Sequence, residues 1–391
     1  MKKQDFLFLG VLIAILIYFF MNQGNAPTED EQLTPTTNPT TETSSVDSSP
    51  PKNTIDKTNT ATTDTLYPVV VDKDYGYINN NGDIIISPNY NEAYYFSEGY
   101  AVVKSGKKYK YINHKNMSVF NNNAKILYSN GTVAFDNEFE KALYFSEGLA
   151  GIKKDGVWYY INKDGVIQIE TPYETVYPFS NSLAVVLKNG KYGYINKDGN
   201  KIISIKYESA HSFSSEANLA AVKLNGKWMY IDTSGEKAIS DLYDYAGDFH
   251  EGLARVRNGD CNTGEWAYID KTGKKIISSP FSGMKVNDVD DFSEGLARIR
   301  VGDFRNAKYG YINTMGEVVI NPQYDFARSF NEGLAAVTID DKWGFIDKTG
   351  EVQIAVQYDS ALNFKDGLAY IQNGKKNGYI RKSGEIVWQS E

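Results

Sequence analysis

A chain of 391 residues with one cysteine and three histidines has no internal disulfide and no cysteine-based metal site. Its net charge is −8, and with no basic block beyond Lys2-Lys3, nucleic acid is excluded as the main partner. Its 33 glycines, 11 prolines, 29 tyrosines and 19 phenylalanines suit strands joined by tight turns better than helices.

The first element is apolar. Residues 6–21 carry no charge and follow Lys2-Lys3. At ~1.5 Å per residue they make a helix of about 24 Å, between the apolar region of a signal peptide and a comfortable membrane span. The bulky end Tyr18-Phe19-Phe20-Met21 favours an uncleaved anchor across residues 1–21, whereas Gly24-Asn25-Ala26 offers the alternative of cleavage and secretion. In both readings the lysines stay in the cytoplasm and the rest of the chain is exported. Residues 22–65 are Thr, Ser, Pro, Asn and acids with almost nothing apolar, which predicts a disordered linker.

From residue 66 to 391 the chain repeats itself. The cleanest unit runs from Glu332 to Asp366. Leu334 to Val337 reads as a first strand (A), Trp343 to Asp347 as a second (B), and Val352 to Ile354 begins a third (C). Strand B starts at Tyr75, Tyr109, Trp158, Tyr192, Trp228, Trp266, Tyr309, Trp343 and Asn377, which gives nine units on a base spacing of 34 residues. The connecting segments repeat Phe-[Ser/Asn]-Glu-Gly. Phe is expected to plug the core between units. Gly99, Gly148, Gly252, Gly295, Gly333 and Gly367 turn the chain into strand A. Strand B has apolar residues on both faces, so neighbouring units cover it, with Trp158, Trp228, Trp266 and Trp343 as core residues. Gly344 is expected to let a neighbouring unit approach closely. The predicted fold is all-β: about nine three-stranded antiparallel meanders. Unequal spacings and the absence of a strand exchanged between the termini favour an open solenoid or superhelix, with a closed propeller-like ring as the alternative.

The tandem phrases Phe-Ser-Glu-Gly-Leu-Ala, [Trp/Tyr]-Gly-[Tyr/Phe]-Ile-[Asp/Asn]-x-x-Gly, and Pro-x-Tyr at Pro88-Asn89-Tyr90 and Pro322-Gln323-Tyr324 resemble the WG-repeat family of bacteria. The resemblance covers residue 66 to the C-terminus and implies a β-rich scaffold, often exported, with no shared reaction. The departures are Tyr for Trp in units one, four and seven, Tyr109-Lys110 in unit two, and Tyr159, Met229 and Ala267 in place of the glycine.

Candidate chemistry is sparse. A glutamate that recurs in almost every unit, as at Glu98, Glu147, Glu294 and Glu332, serves a turn rather than a catalytic pair. Asp288, Asp290 and Asp291 form an acidic stretch without the full calcium-loop pattern. His211 and His250 read as loop residues, and Cys261 lies in an exposed insert. No nucleophile elbow or phosphate loop is present, so neither a catalytic residue nor a metal or other cofactor is assigned. The candidate ligand-binding residues are aromatics outside the repeat pattern: Tyr94, Tyr95, Tyr144, Tyr173 and Tyr177. The inserts at residues 114–132, 259–265 and 301–307 are expected to mark the same specialised face. The sequence points to a non-catalytic, membrane-tethered surface scaffold that binds a protein or a cell-wall polysaccharide. The alternatives are a wall-glycan hydrolase and an exported sensor component.

Overall fold

The computed structural model describes residues 65–117, 125–130, 132–260, 264–279, 281, 283–302 and 306–390. The expected anchor at 6–21 and all of the expected linker except Thr65 lie outside them.

The eighth unit shows why the repeat folds as it does. Strand A (Leu334–Ile339) pairs antiparallel with strand B (Lys342–Asp347), and strand B with strand C (Val352–Tyr358). Glu332 and Gly333 have φ of 53° and 85°, the two left-handed positions of a tight hairpin turn into strand A. At the B–C turn the Asp347 carboxylate accepts the N–H groups of Thr349 and Glu351 at 2.9 and 3.0 Å. That Asx geometry explains the recurrent [Asp/Asn]-x-x-Gly.

Two expectations are corrected at this level. Most units have four strands, because the connecting segment supplies a short strand of its own: Phe326–Ala327 pairs with strand A. Two paired residues are too few to leave an alternating pattern. Gly344 does make room, but for its own strand C and not for a neighbouring unit. A Cβ there would lie 2.7 Å from the Ile354 carbonyl oxygen and 2.8 Å from Val356 Cα. Strand C bulges at that point, between the pairs Trp343↔Tyr358 and Phe345↔Ile354. Gly76, Gly193 and Gly310 sit at the same bulge. Where Tyr159 or Ala267 replaces the glycine, strand C pairs without that shift.

Among the described residues the units form nine antiparallel sheets, with an extra hairpin (Lys125–Leu127 and Val133–Asp136) in the second unit. Successive sheets pack face to face. Leu183, Val185, Tyr194, Ile203 and Tyr207 of the fourth unit share one core with Phe213, Ala220, Val222 and Ile231 of the fifth. The connecting phenylalanines are buried in such cores, Phe330 at 1% and Phe364 at 0% exposure.

The array is a closed nine-bladed β-propeller, which corrects the open solenoid. One contact repeats from blade to blade and then crosses the termini. The B–C turn glycine packs on strand C of the preceding blade: Gly235 on Ile203, Gly316 on Ile277, Gly350 on Ile320, Gly384 on Ile354. Gly82 of the first blade packs in the same way on Val387 of the last. Tyr67, Val69 and Ile78 share a core with Leu368 and Tyr379. Radially arranged sheets converge at the axis. The short strands, whose neighbours on successive blades touch directly, form the axial edge. Strand C, with its exposed Ile202, Ile276, Val319 and Ile386, forms the rim.

Candidate functional site

The axial edge is built by one recurrent bond. A tyrosine of strand B donates its hydroxyl to a backbone carbonyl in or just after the short strand of the next blade. Tyr77 donates to Tyr94 (2.8 Å), Tyr160 to Tyr177 (2.6 Å), Tyr194 to His211 (2.7 Å) and Tyr311 to Arg328 (2.7 Å). The side chains at and beside those carbonyls are therefore held in register around the axis. They differ from blade to blade, and the ring divides into two regions.

Blades 2 to 4 carry aromatics. Four of the five tyrosines singled out from the sequence fall at this edge. Tyr94 and Tyr177 are equivalent, as are Tyr95 and Tyr144. Tyr173 lies apart, half-buried against the core around Trp158 and Tyr160. Tyr94 donates to Glu92 at 2.9 Å. Tyr95 is 3.4 Å from the Tyr379 hydroxyl and lies under the Lys365 ammonium at 4.7 Å. Burial pushes the Tyr144 and Tyr177 hydroxyls up to about 12, so all stay neutral at ordinary pH. Tyr177 is the exposed one, at 37%.

Blades 5 to 8 carry charge. His211 Nδ1 is 2.8 Å from Asp248. Burial works against a charge on His211, but the Asp248 carboxylate outweighs it and raises the histidine's pKa. Asp290 is buried between Arg255 (3.2 Å) and Arg298 (3.0 Å), and Asp291 meets Arg255 at 2.9 Å. Burial opposes ionisation of Asp290, and the two guanidinium groups, Arg298 foremost, hold its carboxyl below the usual range. The acidic stretch is thus engaged by arginine. Histidines 211 and 250 are not loop residues in the expected sense: His250 ends the strand Tyr245–His250, and His211 extends a strand through its N–H to Ala221.

The same blades carry rings in edge-to-face and tilted contact, with guanidinium groups over them. Ring follows ring along His211, Trp228, Tyr245 and Trp266, at centroid separations of 4.9, 6.5 and 5.4 Å. Tyr309, Phe326 and Trp343 form a second run, at 5.2 and 5.6 Å. Arg257 lies over Trp266 (5.1 Å), Arg298 over Tyr309 (5.2 Å) and Arg328 over Trp343 (4.9 Å). Trp158 and Trp266 are core residues as expected, but Trp228 and Trp343 are half-buried. The sequence reading missed this site, although a signal existed: none of the seven arginines precedes residue 255, and five lie at 255, 257, 298, 300 and 328.

The motif glutamates act between blades. Glu294 accepts the N–H of Gly333 (2.8 Å) and Glu332 that of Gly367 (3.1 Å), and each meets a turn lysine, Lys348 or Lys382. Gly99, Gly148, Gly252, Gly295, Gly333 and Gly367 all have positive φ and open space around them, as a turn into strand A requires. Cys261 lies outside the described residues. So do parts of all three inserts.

The sequence model of a family described as WG containing repeat matches residues 75–109, 129–158, 160–192, 192–228, 228–260, 266–303, 309–343 and 343–376. No curated protein matches the chain. Among solved structures it is similar to a crystal structure of the eukaryotic initiation factor, with a TM-score of 0.58 at 11% identity over 83% of this chain and 96% of that one. It is also similar to dipeptidyl peptidase 4 of Porphyromonas gingivalis, with a TM-score of 0.51 at 8% identity over 76% of this chain and 59% of that one. At such identities the likeness is one of fold alone.

Proposed function

The chain belongs to the WG containing repeat family, and from that premise we propose that it is a non-catalytic binding scaffold displayed outside the cell, anchored through residues 6–21 and taking a cell-wall glycan along blades 5 to 8. The observation that carries the reading is the set of partly exposed rings Trp228, Tyr245, Tyr309, Phe326 and Trp343 on successive blades, with Trp266 buried among them. Flat aromatic faces at successive blades suit a polymer of sugar rings, each face covering the apolar side of one ring. A repeated scaffold with a site spread over several blades is multivalent, so modest contacts add to useful affinity.

The test is retention of the full chain on purified wall glycan. Trp343→Ala together with Phe326→Ala should weaken retention at least tenfold, while Tyr177→Ala should leave it unchanged. Equal binding by all three would remove blades 5 to 8 from the reading. The anchor predicts an intact N-terminus by mass spectrometry of the native chain; a start near Pro27 would mean secretion instead. The His211–Asp248 pair favours one other reading, a glycan hydrolase. Release of reducing ends during the same incubation, lost in Asp248→Asn, would establish it.

A further inference from the structure

Resting on that reading, we infer that the glycan is acidic: Arg257 and Arg300 bind carboxylate groups carried on its sugar rings. The two residues occupy equivalent fifth positions of strand A in blades 6 and 7, paired with Trp266 and Tyr309. They are joined through one bridge. The Trp266 Nε1–H donates to the Asn287 carbonyl (3.2 Å), and the Asn287 N–H donates to the Arg300 carbonyl (2.8 Å).

What distinguishes them is what they lack. Arg255 and Arg298, two residues earlier on the same strands, are neutralised by Asp290 and Asp291. Lys104, at the fifth position in blade 2, is neutralised by Glu92. Among the described residues Arg257 and Arg300 have no ion pair. The cross-strand neighbour of Arg257 is the ring of Tyr245. Asp288, opposite Arg300, makes no ion pair with it. Each Nε is buried without a hydrogen-bond partner, so a ligand would be met by the outer nitrogens, for which no protein acceptor is present among the described residues. The Arg257 guanidinium is held over Tyr245 (5.9 Å) and Trp266 (5.1 Å), which orients its plane. Arg257 thus offers a planar fork oriented by stacking; its charge acts on Asp244, but that carboxylate is paired with Lys227 and makes no ion pair with Arg257, so the fork is suited to a two-bond contact with a carboxylate of the ligand. A sugar ring bearing that carboxylate then reaches the neighbouring aromatic faces.

Polygalacturonate is the probe, with its carboxyl-reduced, neutral form and inorganic polyphosphate as the other arms, all against the full chain. The expected result is binding of polygalacturonate that falls at least tenfold on carboxyl reduction, and equally in Arg257→Gln with Arg300→Gln. Arg257→Lys, which keeps charge but loses the fork, should fall between, and unchanged melting of each variant certifies the fold. Binding of acidic and neutral polymers alike, untouched by the arginine variants, would overturn the acidic ligand and leave the glycan scaffold standing. Binding of polyphosphate as tight as polygalacturonate, and indifferent to Trp343→Ala, would overturn it in favour of charge alone. Retention of no glycan would remove both readings.

Discussion

The junction between blades 9 and 1 and the junction between blades 7 and 8 do the same work by different means. At the ordinary junction the next blade offers a short axial strand, and Tyr311 donates its hydroxyl to the Arg328 carbonyl just after it. The first blade has no such strand among the described residues; its sheet stops at Tyr67–Val71. Tyr379 therefore reaches one strand further and donates to the Pro68 carbonyl at 2.9 Å. In blade 9 the equivalent carbonyl, on Tyr370, is taken by the N–H of Leu362 from the short strand. A tyrosine hydroxyl thus stands in for a missing backbone donor. Pro68 has no N–H to leave unpaired at the exposed edge. The space is filled as well. Every other blade has alanine where the first has Tyr67, as at Ala297, Ala335 and Ala369. The Tyr67 ring lies 5.6 Å from that of Tyr379, with its hydroxyl donating to the Asp366 carbonyl. A ring can be closed by side chains without exchanging a strand, provided the terminal blades carry larger residues at the seam.

Removing the seam filler should do most damage. Tyr67→Ala makes blade 1 like the others at that position but leaves the space of the missing strand empty, at a cost of about 3–5 kcal/mol. Chemical denaturation should show the loss, and cleavage should begin at the terminal blades. A loss under about 1 kcal/mol would mean the seam does not depend on this ring.

A smaller contrast separates the two turn glycines. An alanine Cβ at Gly82 would lie 2.2 Å from the Val387 carbonyl oxygen, while at Gly350 its nearest neighbour would be an Ile320 methyl carbon at 3.5 Å. Both have φ near 87°, so both bear the strain of a side chain in the left-handed region, about 1 kcal/mol. Gly82→Ala adds a backbone clash of about 1–3 kcal/mol. Equal melting temperatures for the two variants would refute tight packing at the seam.

The smallest effect distinguishes the junctions by pH. The seam is made of hydroxyls whose pKa burial raises, Tyr67 and Tyr379, so it is indifferent to pH below their titration. The junction between blades 5 and 6 contains His211 and Asp248, with Asp291 favouring and Arg255 opposing the histidine's charge. Because the folded pKa of His211 lies above its unfolded value, the stabilisation is complete below the unfolded value near 6.5 and is lost as pH rises through the folded one. The melting gap between wild type and Asp248→Asn should therefore be wider at pH 5.5 than at pH 8.5. A gap independent of pH would show that His211 does not carry the charge.

The repeat itself was legible because it is local. The aromatic start of strand B, the Asx turn after it, and the glutamate–glycine hairpin each lie within a few residues, and their recurrence marks nine units. The tyrosines at 94, 95, 144 and 177 are departures from that pattern, and they lie in the connecting segments at the axial edge. The axial strand was not legible, because two paired residues leave no period. The arginine row was not, because its members come from different units and only packing sets Arg328 over Trp343.

By itself the sequence determined the three long strands of each unit, their turns and the number of units, since hairpin geometry depends on φ preferences and on alternation within about ten residues. Tertiary structure alone decided that the array closes. Closure rests on Tyr67 meeting Tyr379 and Gly82 meeting Val387, contacts that span some 300 residues and follow from the small rotation between blades accumulated around the whole ring.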